Sequence, residues 1–215
     1  NGIISSETLL LSASKIDNYN RCQLKYKYSS LDLIPYFKYN SVFVLGNIIH
    51  KVLQKFHQNN LSRFKDMIML LDEYWDSKLY FYKCESTQYY EDAKNMLKNY
   101  SAYLKNRTPS PILFENFFQI NMKNCILSGV MDRLDLDMNG NIKIYDYKTS
   151  KTQKSELKIR NSFQLPIYAL AVYSLGEKID PAIKNQSLPI SVGELSLRFQ
   201  DLEKMIELSE NDIKK

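Results

Sequence analysis

Along the first half of the chain the apolar side chains recur at i, i+3, i+4 and i+7, the spacing of one helix face. Residues 46–58 place Ile49, Val52, Leu53 and Phe56 on such a stripe. Residues 63–83 repeat it with Phe64, Met67, Ile68, Leu71, Tyr74, Trp75 and Leu79, and residues 88–106 with Tyr89, Ala93, Met96, Leu97, Tyr100 and Leu104. A shorter helix is expected after Ser14, whose hydroxyl can cap it, with Asp17 where a capping box puts an acid and Ile16, Tyr19 and Cys22 along it.

The pattern changes at Thr108-Pro109-Ser110-Pro111, where two prolines stop helix and start extended chain. Pro111–Met122, Cys125–Asp137 and Asn141–Lys148 read as strands, and Asn139-Gly140 is a short hairpin turn between the last two. Residues 162–175 return to helical spacing, with Ser162 as a cap and Pro166 tolerated because it sits in the first turn. A polar loop runs to about Pro189. Val192–Gln200 and Lys204–Leu208 then read as two strands joined near Asp201, and Ser209–Lys215 starts a capped helix. The order predicts a single α/β domain over 1–215, mainly helical over 1–108, with the sheet core over 109–215.

Composition narrows the class. With 215 residues, 44% apolar and 25% charged, the chain can bury a core, and disorder is not expected. No segment approaches the roughly 20 apolar residues of a membrane-spanning helix, so no membrane association is expected. No basic-then-apolar leader opens the chain, and a start at Asn1 reads as an excised or processed domain. Lys+Arg 29 minus Asp+Glu 24 gives +5, compatible with a nucleic-acid partner without arguing for one. Three widely spaced cysteines, Cys22, Cys84 and Cys125, exclude a disulfide scaffold and fit a reducing, cytoplasmic setting. No GxxxxGK[ST] string occurs, so no motor of the P-loop type is expected.

The chemistry concentrates in Ser128–Lys151. Side chains on a strand alternate, so Asp146 and Lys148 of Asp-Tyr-Lys project from one face. Similar acid-x-Lys triplets at Asp76, Asp92 and Asp212 fall in predicted helices, where i and i+2 diverge by about 200°, and Glu156/Lys158 falls in a loop. If the hairpin pairs its strands, Asp132 comes alongside Asp146. Two carboxylates converging on one point repel unless a cation joins them, and a divalent metal is the economical cation. The blander reading of the triplet is an exposed salt bridge at a strand end.

Five ordered blocks then carry a resemblance: LSASKIDNYNRCQLKYKY (Leu11–Tyr28), LGNIIHKVLQKF (Leu45–Phe56), SGVMDRLD (Ser128–Asp135), IYDYKTSK (Ile144–Lys151) and FQLPIYALAV (Phe163–Val172). Together they resemble the PD-(D/E)xK nuclease superfamily, and within it the RecB-like nucleases, which include CRISPR-associated spacer-processing nucleases and the nuclease domains of recombination helicases. The resemblance implies a restriction-endonuclease-like core, a mixed sheet with flanking helices, behind a helical N-terminal half. It implies that His50, Asp132, Asp146 and the backbone carbonyl of Tyr147 hold Mg²⁺ or Mn²⁺. Lys148 would be the catalytic lysine, with Gln164 and Tyr168 holding the site or the DNA backbone. The implied reaction is metal-dependent hydrolysis of DNA phosphodiesters, as an exonuclease on single-stranded or end-containing DNA in recombination, repair or defence. A fused or associated helicase is a further partner that the relatives suggest. An alternative is a catalytically inactive nuclease-fold module that binds nucleic acid or a helicase; another is a duplex endonuclease with sequence preference.

Around that set the expectations are plainer. Glu115, on the strand before the hairpin, could also approach the metal but is expected as a surface carboxylate; Asp135 and Asp137 are expected as surface or turn acids, and Arg133 in a structural ion pair on the opposite face. His57, on the His50 stripe, is expected to be structural or at the surface. For Gln164 and Tyr168 a polar boundary beside the core stripe of Leu165, Ala169 and Val172 stays open as the alternative. Lys151, Lys154, Lys158 and Arg160 are candidate DNA contacts or a solvated basic loop. Many RecB-like nucleases hold a [4Fe–4S] cluster on one N-terminal and three C-terminal cysteines. No cysteine follows Cys125, so no cluster is expected, and Cys22 is expected as a small buried apolar residue.

Overall fold

The computed structural model describes residues 9–35, 40–105, 107, 109–184 and 188–214. A short strand β1 (Leu9–Leu11) leads into α1 (Ala13–Arg21), α2 (Gln23–Tyr26) and one π-helical turn, followed by the long helices α3 (Ser41–Gln58), α4 (Phe64–Tyr74) and α5 (Lys83–Leu104). Strands β2 (Pro111–Asn121), β3 (Cys125–Leu136) and β4 (Ile142–Lys148) form the expected meander. Helices α6 (Glu156–Arg160) and α7 (Gln164–Leu175) then cross to β5 (Ile190–Ser196), β6 (Glu203–Leu208) and α8 (Glu210–Lys214).

Helix α3 shows why these elements form. Asn40 caps it by accepting the Val42 N–H at 3.0 Å. Its predicted stripe of Ile49, Val52, Leu53 and Phe56 is buried against Met67 and Leu71 of α4 and Ala93, Met96 and Leu97 of α5. Each such side chain withdrawn from water contributes about 1.5–3 kcal/mol. The predicted helix over 63–83 is instead two pieces. Trp75 ends α4 in extended conformation, and the Asp76 carboxylate takes the Lys78 N–H at 2.9 Å, starting a 3₁₀ turn. A short acid that bonds its own backbone competes with helix, and Leu79 is left 46% exposed rather than on the stripe. Ser12, not Ser14, caps α1, through the Lys15 N–H. Strand β1 and helix α6 were not expected; three and five residues are too short for either period to show. Thr108, residues 185–187 of the predicted polar loop, and Lys215 lie outside the described residues.

The sheet is mixed, in the order β1-β3-β4-β5-β6, with β2 antiparallel to β3. β3–β4 and β5–β6 are antiparallel; β4–β5 is parallel, as a helical crossover requires. Apolar clusters lie on both sides. Ile142, Ile144, Ile190, Val192, Ile206 and Leu208 pack with α7, while Tyr145, Tyr147 and Leu195 pack with α3, α4 and α5. The β3–β4 turn is the predicted one: Gly140 takes φ +80°, and Asp137 accepts the N–H groups of Asn139 and Asn141. This is the mixed sheet with flanking helices, behind a largely helical first half, that the resemblance implied.

Candidate active site

The β3–β4 ladder runs from Leu136–Ile142 to Arg133–Tyr145. The next residue of β3, Asp132, reaches across with its side chain, and its Oδ2 accepts the Tyr147 N–H at 2.7 Å. His50 arrives from α3. Its Nε2 lies 3.1 Å from the Tyr147 carbonyl oxygen, and its Nδ1 lies 3.2 Å from Glu115 Oε1 and 3.5 Å from Asp132 Oδ1. Both ring nitrogens therefore face acceptors, which only an imidazolium satisfies with two N–H groups. Burial opposes that charge, but the hydrogen bonds to Asp132 and Glu115 outweigh it and raise the His50 pKa to about 10.

Glu115 is not the surface acid the sequence suggested. It takes a positive φ of 46° in the middle of β2. Such backbone is costly for a residue with a Cβ, and Glu115 drops out of the β2–β3 pairing opposite Asp132 while its neighbours Phe114 and Asn116 keep their register. The half-buried carboxylate is delivered to His50. One ligand atom from each of His50, Glu115 and Asp132 lies within 4.8 Å of the others, and the three come from α3, β2 and β3. One imidazole nitrogen and two carboxylate oxygens suit Mg²⁺ or Mn²⁺, and the Tyr147 carbonyl lies at the other ring nitrogen of His50. The residues present fit such an ion.

Asp146, expected as a ligand, neighbours Asp132 of this trio, and its carboxylate is engaged by Lys148 and Gln164. It forms an ion pair with Lys148, and its Oδ1 accepts from Gln164 Nε2 at 2.9 Å. Gln164 Oε1 accepts from Lys148 Nζ at 3.2 Å, and its Nε2 also donates to the Tyr168 hydroxyl at 2.8 Å. Gln164 thus bridges acid, lysine and tyrosine, one helical turn from Tyr168. Burial pushes Asp146 up to about 7; Lys148 opposes the shift, while Asp132 and Glu194 add to it. Burial works against the Lys148 charge, yet Asp146 keeps its pKa above the usual lysine value. Glu194, buried on β5 in register with Asp146, is held by Lys154 at 2.7 Å. Sequence reasoning missed it, because its neighbour Asp146 is nearly fifty residues away in the chain.

Two further expectations change, those for Asp135 and Cys22, while His57 takes the structural one of its two readings. Asp135 is buried rather than on the surface, gripped by Arg133 through both carboxylate oxygens. His57 is buried, stacked on Phe114 at 5.5 Å and bonded to the Tyr100 hydroxyl at 2.7 Å. Cys22 is exposed rather than buried, capping α2 through the Lys25 N–H. Beside Gln164 and Tyr168 an open cleft of about 680 Å³ is lined by Arg21, Lys154, Lys158 and Ser128. Lys151 lies on another groove with Arg198, and Arg160 pairs with Asp212 at 3.6 Å.

A family model described as the PD-(D/E)XK nuclease superfamily matches residues 10–211. Among solved structures the chain is similar to a protein from Eubacterium rectale named "Putative exonuclease", at 12% identity and a TM-score of 0.56, over 98% of this chain and 77% of that one. At that identity the likeness speaks for the fold. The structure of SSO0001 aligns at 12% identity over 79% of this chain and 69% of that one, with a TM-score of 0.25 that carries no argument. No curated protein matches the chain.

Proposed function

The chain belongs to the PD-(D/E)XK nuclease superfamily, and from that premise we propose that it is a divalent-metal-dependent deoxyribonuclease acting as an exonuclease on single-stranded or end-containing DNA. The observation that carries this reading is the convergence of His50, Glu115 and Asp132, from three separate elements, beside the Asp146–Lys148 pair.

The residues divide the work. His50, Glu115 and Asp132 would hold the ion. The bound ion supplies Lewis acidity at the scissile phosphate. Lys148 stays charged beside Asp146 and stands ready to neutralise charge that develops on the phosphate or to orient the attacking water. Gln164 fixes the Lys148 ammonium and the Asp146 carboxylate relative to one another, so little reorganisation is needed. Arg21, Lys154 and Lys158 along the cleft would hold backbone phosphates without reading sequence, which makes binding sensitive to salt. Lys154 is already oriented by buried Glu194. Three free cysteines fit work in a reducing, intracellular compartment.

The test is cleavage of end-labelled single-stranded DNA, linear duplex and closed circular DNA with Mn²⁺, then with chelator. The reading expects metal-dependent loss of the linear substrates and survival of the closed circles. Circles cut as fast as linear DNA would overturn the exonuclease assignment. Absence of metal-dependent cleavage by wild type, with DNA still bound, would overturn the nuclease.

A further inference from the structure

Behind the trio lies a second, buried cluster of polar side chains. Its centre is Tyr100 of α5, a helix that places no residue in the site. The Tyr100 hydroxyl meets Arg133 Nη1 at 2.6 Å, His57 Nε2 at 2.7 Å and the Tyr147 hydroxyl at 3.2 Å. A phenol oxygen has one proton to give and two lone pairs, so three partners use all of its capacity. Arg133 donates; of His57 and Tyr147, one donates and the other accepts. Arg133 is in turn closed by Asp135 and lies over the Tyr145 ring at 4.9 Å.

Each partner of Tyr100 is tied in sequence to a group at the site. Arg133 follows Asp132 on β3. Tyr147 separates Asp146 from Lys148 on β4, and its own N–H and carbonyl engage Asp132 and His50. His57 lies two turns beyond His50 on α3, so it shares that helix face. His57 also stacks on Phe114, the residue before Glu115 on β2. One hydroxyl therefore joins β3, β4 and α3 directly, and reaches β2 through the imidazole.

We infer that Tyr100 is a positioning residue, whose hydroxyl holds the elements carrying His50, Glu115, Asp132 and Tyr147 at the spacing the ion needs. The cluster is deeply buried: Tyr100 and Arg133 expose 0% and 1% of their surface. In such surroundings an unpartnered polar group is costly, so the network favours one arrangement of its strands and helix. Groups that orient metal ligands without touching the metal affect affinity nearly as the ligands do. This inference rests on the nuclease reading, because it takes the trio to be a metal site.

The test compares Tyr100→Phe with Tyr103→Phe. Tyr103 lies on the same helix, and its hydroxyl bonds Glu203 at 2.8 Å, away from the trio. Mn²⁺ affinity is measured by calorimetry on folded protein, and kcat and KM on a labelled oligonucleotide. Tyr100→Phe is expected to weaken Mn²⁺ binding by about 10–100-fold and to lower kcat with KM within about twofold of wild type. Tyr103→Phe is expected to leave Mn²⁺ affinity unchanged, although it also loses a hydrogen bond. Should Tyr100→Phe not fold, His57→Leu against His57→Gln decides, since glutamine can donate or accept as the imidazole does: the leucine variant loses Mn²⁺ affinity and the glutamine variant regains it. Folded Tyr100→Phe with wild-type Mn²⁺ affinity, or His57→Leu with wild-type affinity, overturns the positioning role alone. Wild-type protein that binds no Mn²⁺ overturns the nuclease reading and this inference with it. Mn²⁺ binding without cleavage overturns the nuclease reading while the affinity comparison still decides the role of Tyr100.

Discussion

The Asp132 carboxylate accepts the backbone N–H of Tyr147 at 2.7 Å, where the β3–β4 ladder has just ended. One oxygen thus joins the strands and the other faces His50. The two duties separate in two variants. Asp132→Asn keeps an oxygen for Tyr147 and should fold close to wild type while losing Mn²⁺-dependent cleavage. Asp132→Ala leaves the N–H without its partner and should also lose about 1–3 kcal/mol of stability. Urea titration of both variants beside a cleavage assay checks the split.

Glu115 should matter as much as Asp132. Glu115→Gln removes the charge and keeps the shape, and Mn²⁺ affinity should fall by at least about 10-fold with the fold retained. Calorimetric titration with Mn²⁺ reads this directly. Unchanged affinity would return Glu115 to the surface role its sequence position suggested.

Lys148→Met should fold, because Asp146, already pushed up to about 7 by burial, can take a proton once its cation is gone. Cleavage should drop by about 10²–10⁴-fold, the usual range for a group managing proton or charge in the transition state. Single-turnover rates with saturating metal provide the measurement.

Burial and the nearby Arg133 hold His57 down to about 3, below the ordinary imidazole value. The unfolded chain therefore takes up this proton near pH 6.5, before the folded one does. The stabilising effect of keeping His57 neutral is fully present above about pH 6.5 and is lost as pH falls towards 3, at up to about 1.4 kcal/mol per pH unit. Urea midpoints between pH 7 and 4 should fall more steeply for wild type than for His57→Gln. Parallel slopes would mean that His57 titrates normally in the fold.

Gly193 sits between Tyr145 of β4 and Met205 of β6. A Cβ there would come within 2.1 Å of Met205 Sδ and 2.4 Å of the Lys204 carbonyl oxygen. The backbone oxygen cannot yield as a side chain can, so Gly193→Ala should cost about 1–3 kcal/mol or more, read as a lower denaturation midpoint.

Much of this architecture is legible in the residue pattern. Helices α3 and α5, the three-strand meander and its Asn139-Gly140 turn follow from spacing and turn chemistry, because burial on one face leaves a period in the chain. Asp146 and Lys148 do share a face, as strand alternation requires. What spacing does not carry is departure from regular backbone and pairing at a distance. Glu115 reaches His50 through a positive φ that strand alternation does not anticipate. Asp135 looked like a surface acid because a charge on a strand is usually solvated, yet Arg133, two residues away on the same face, neutralises it in the interior. Asp76 breaks a helix whose apolar stripe continues past it, since one side-chain hydrogen bond to the Lys78 N–H decides the local backbone.

The central claim is that His50, Glu115 and Asp132 together hold a divalent ion. Anomalous diffraction from a crystal soaked in Mn²⁺ tests it most directly. The account predicts one strong anomalous peak at coordinating distance from the His50 imidazole and the Glu115 and Asp132 carboxylates. A soaked crystal with no peak between those three side chains, or with its strong peak elsewhere, would contradict it.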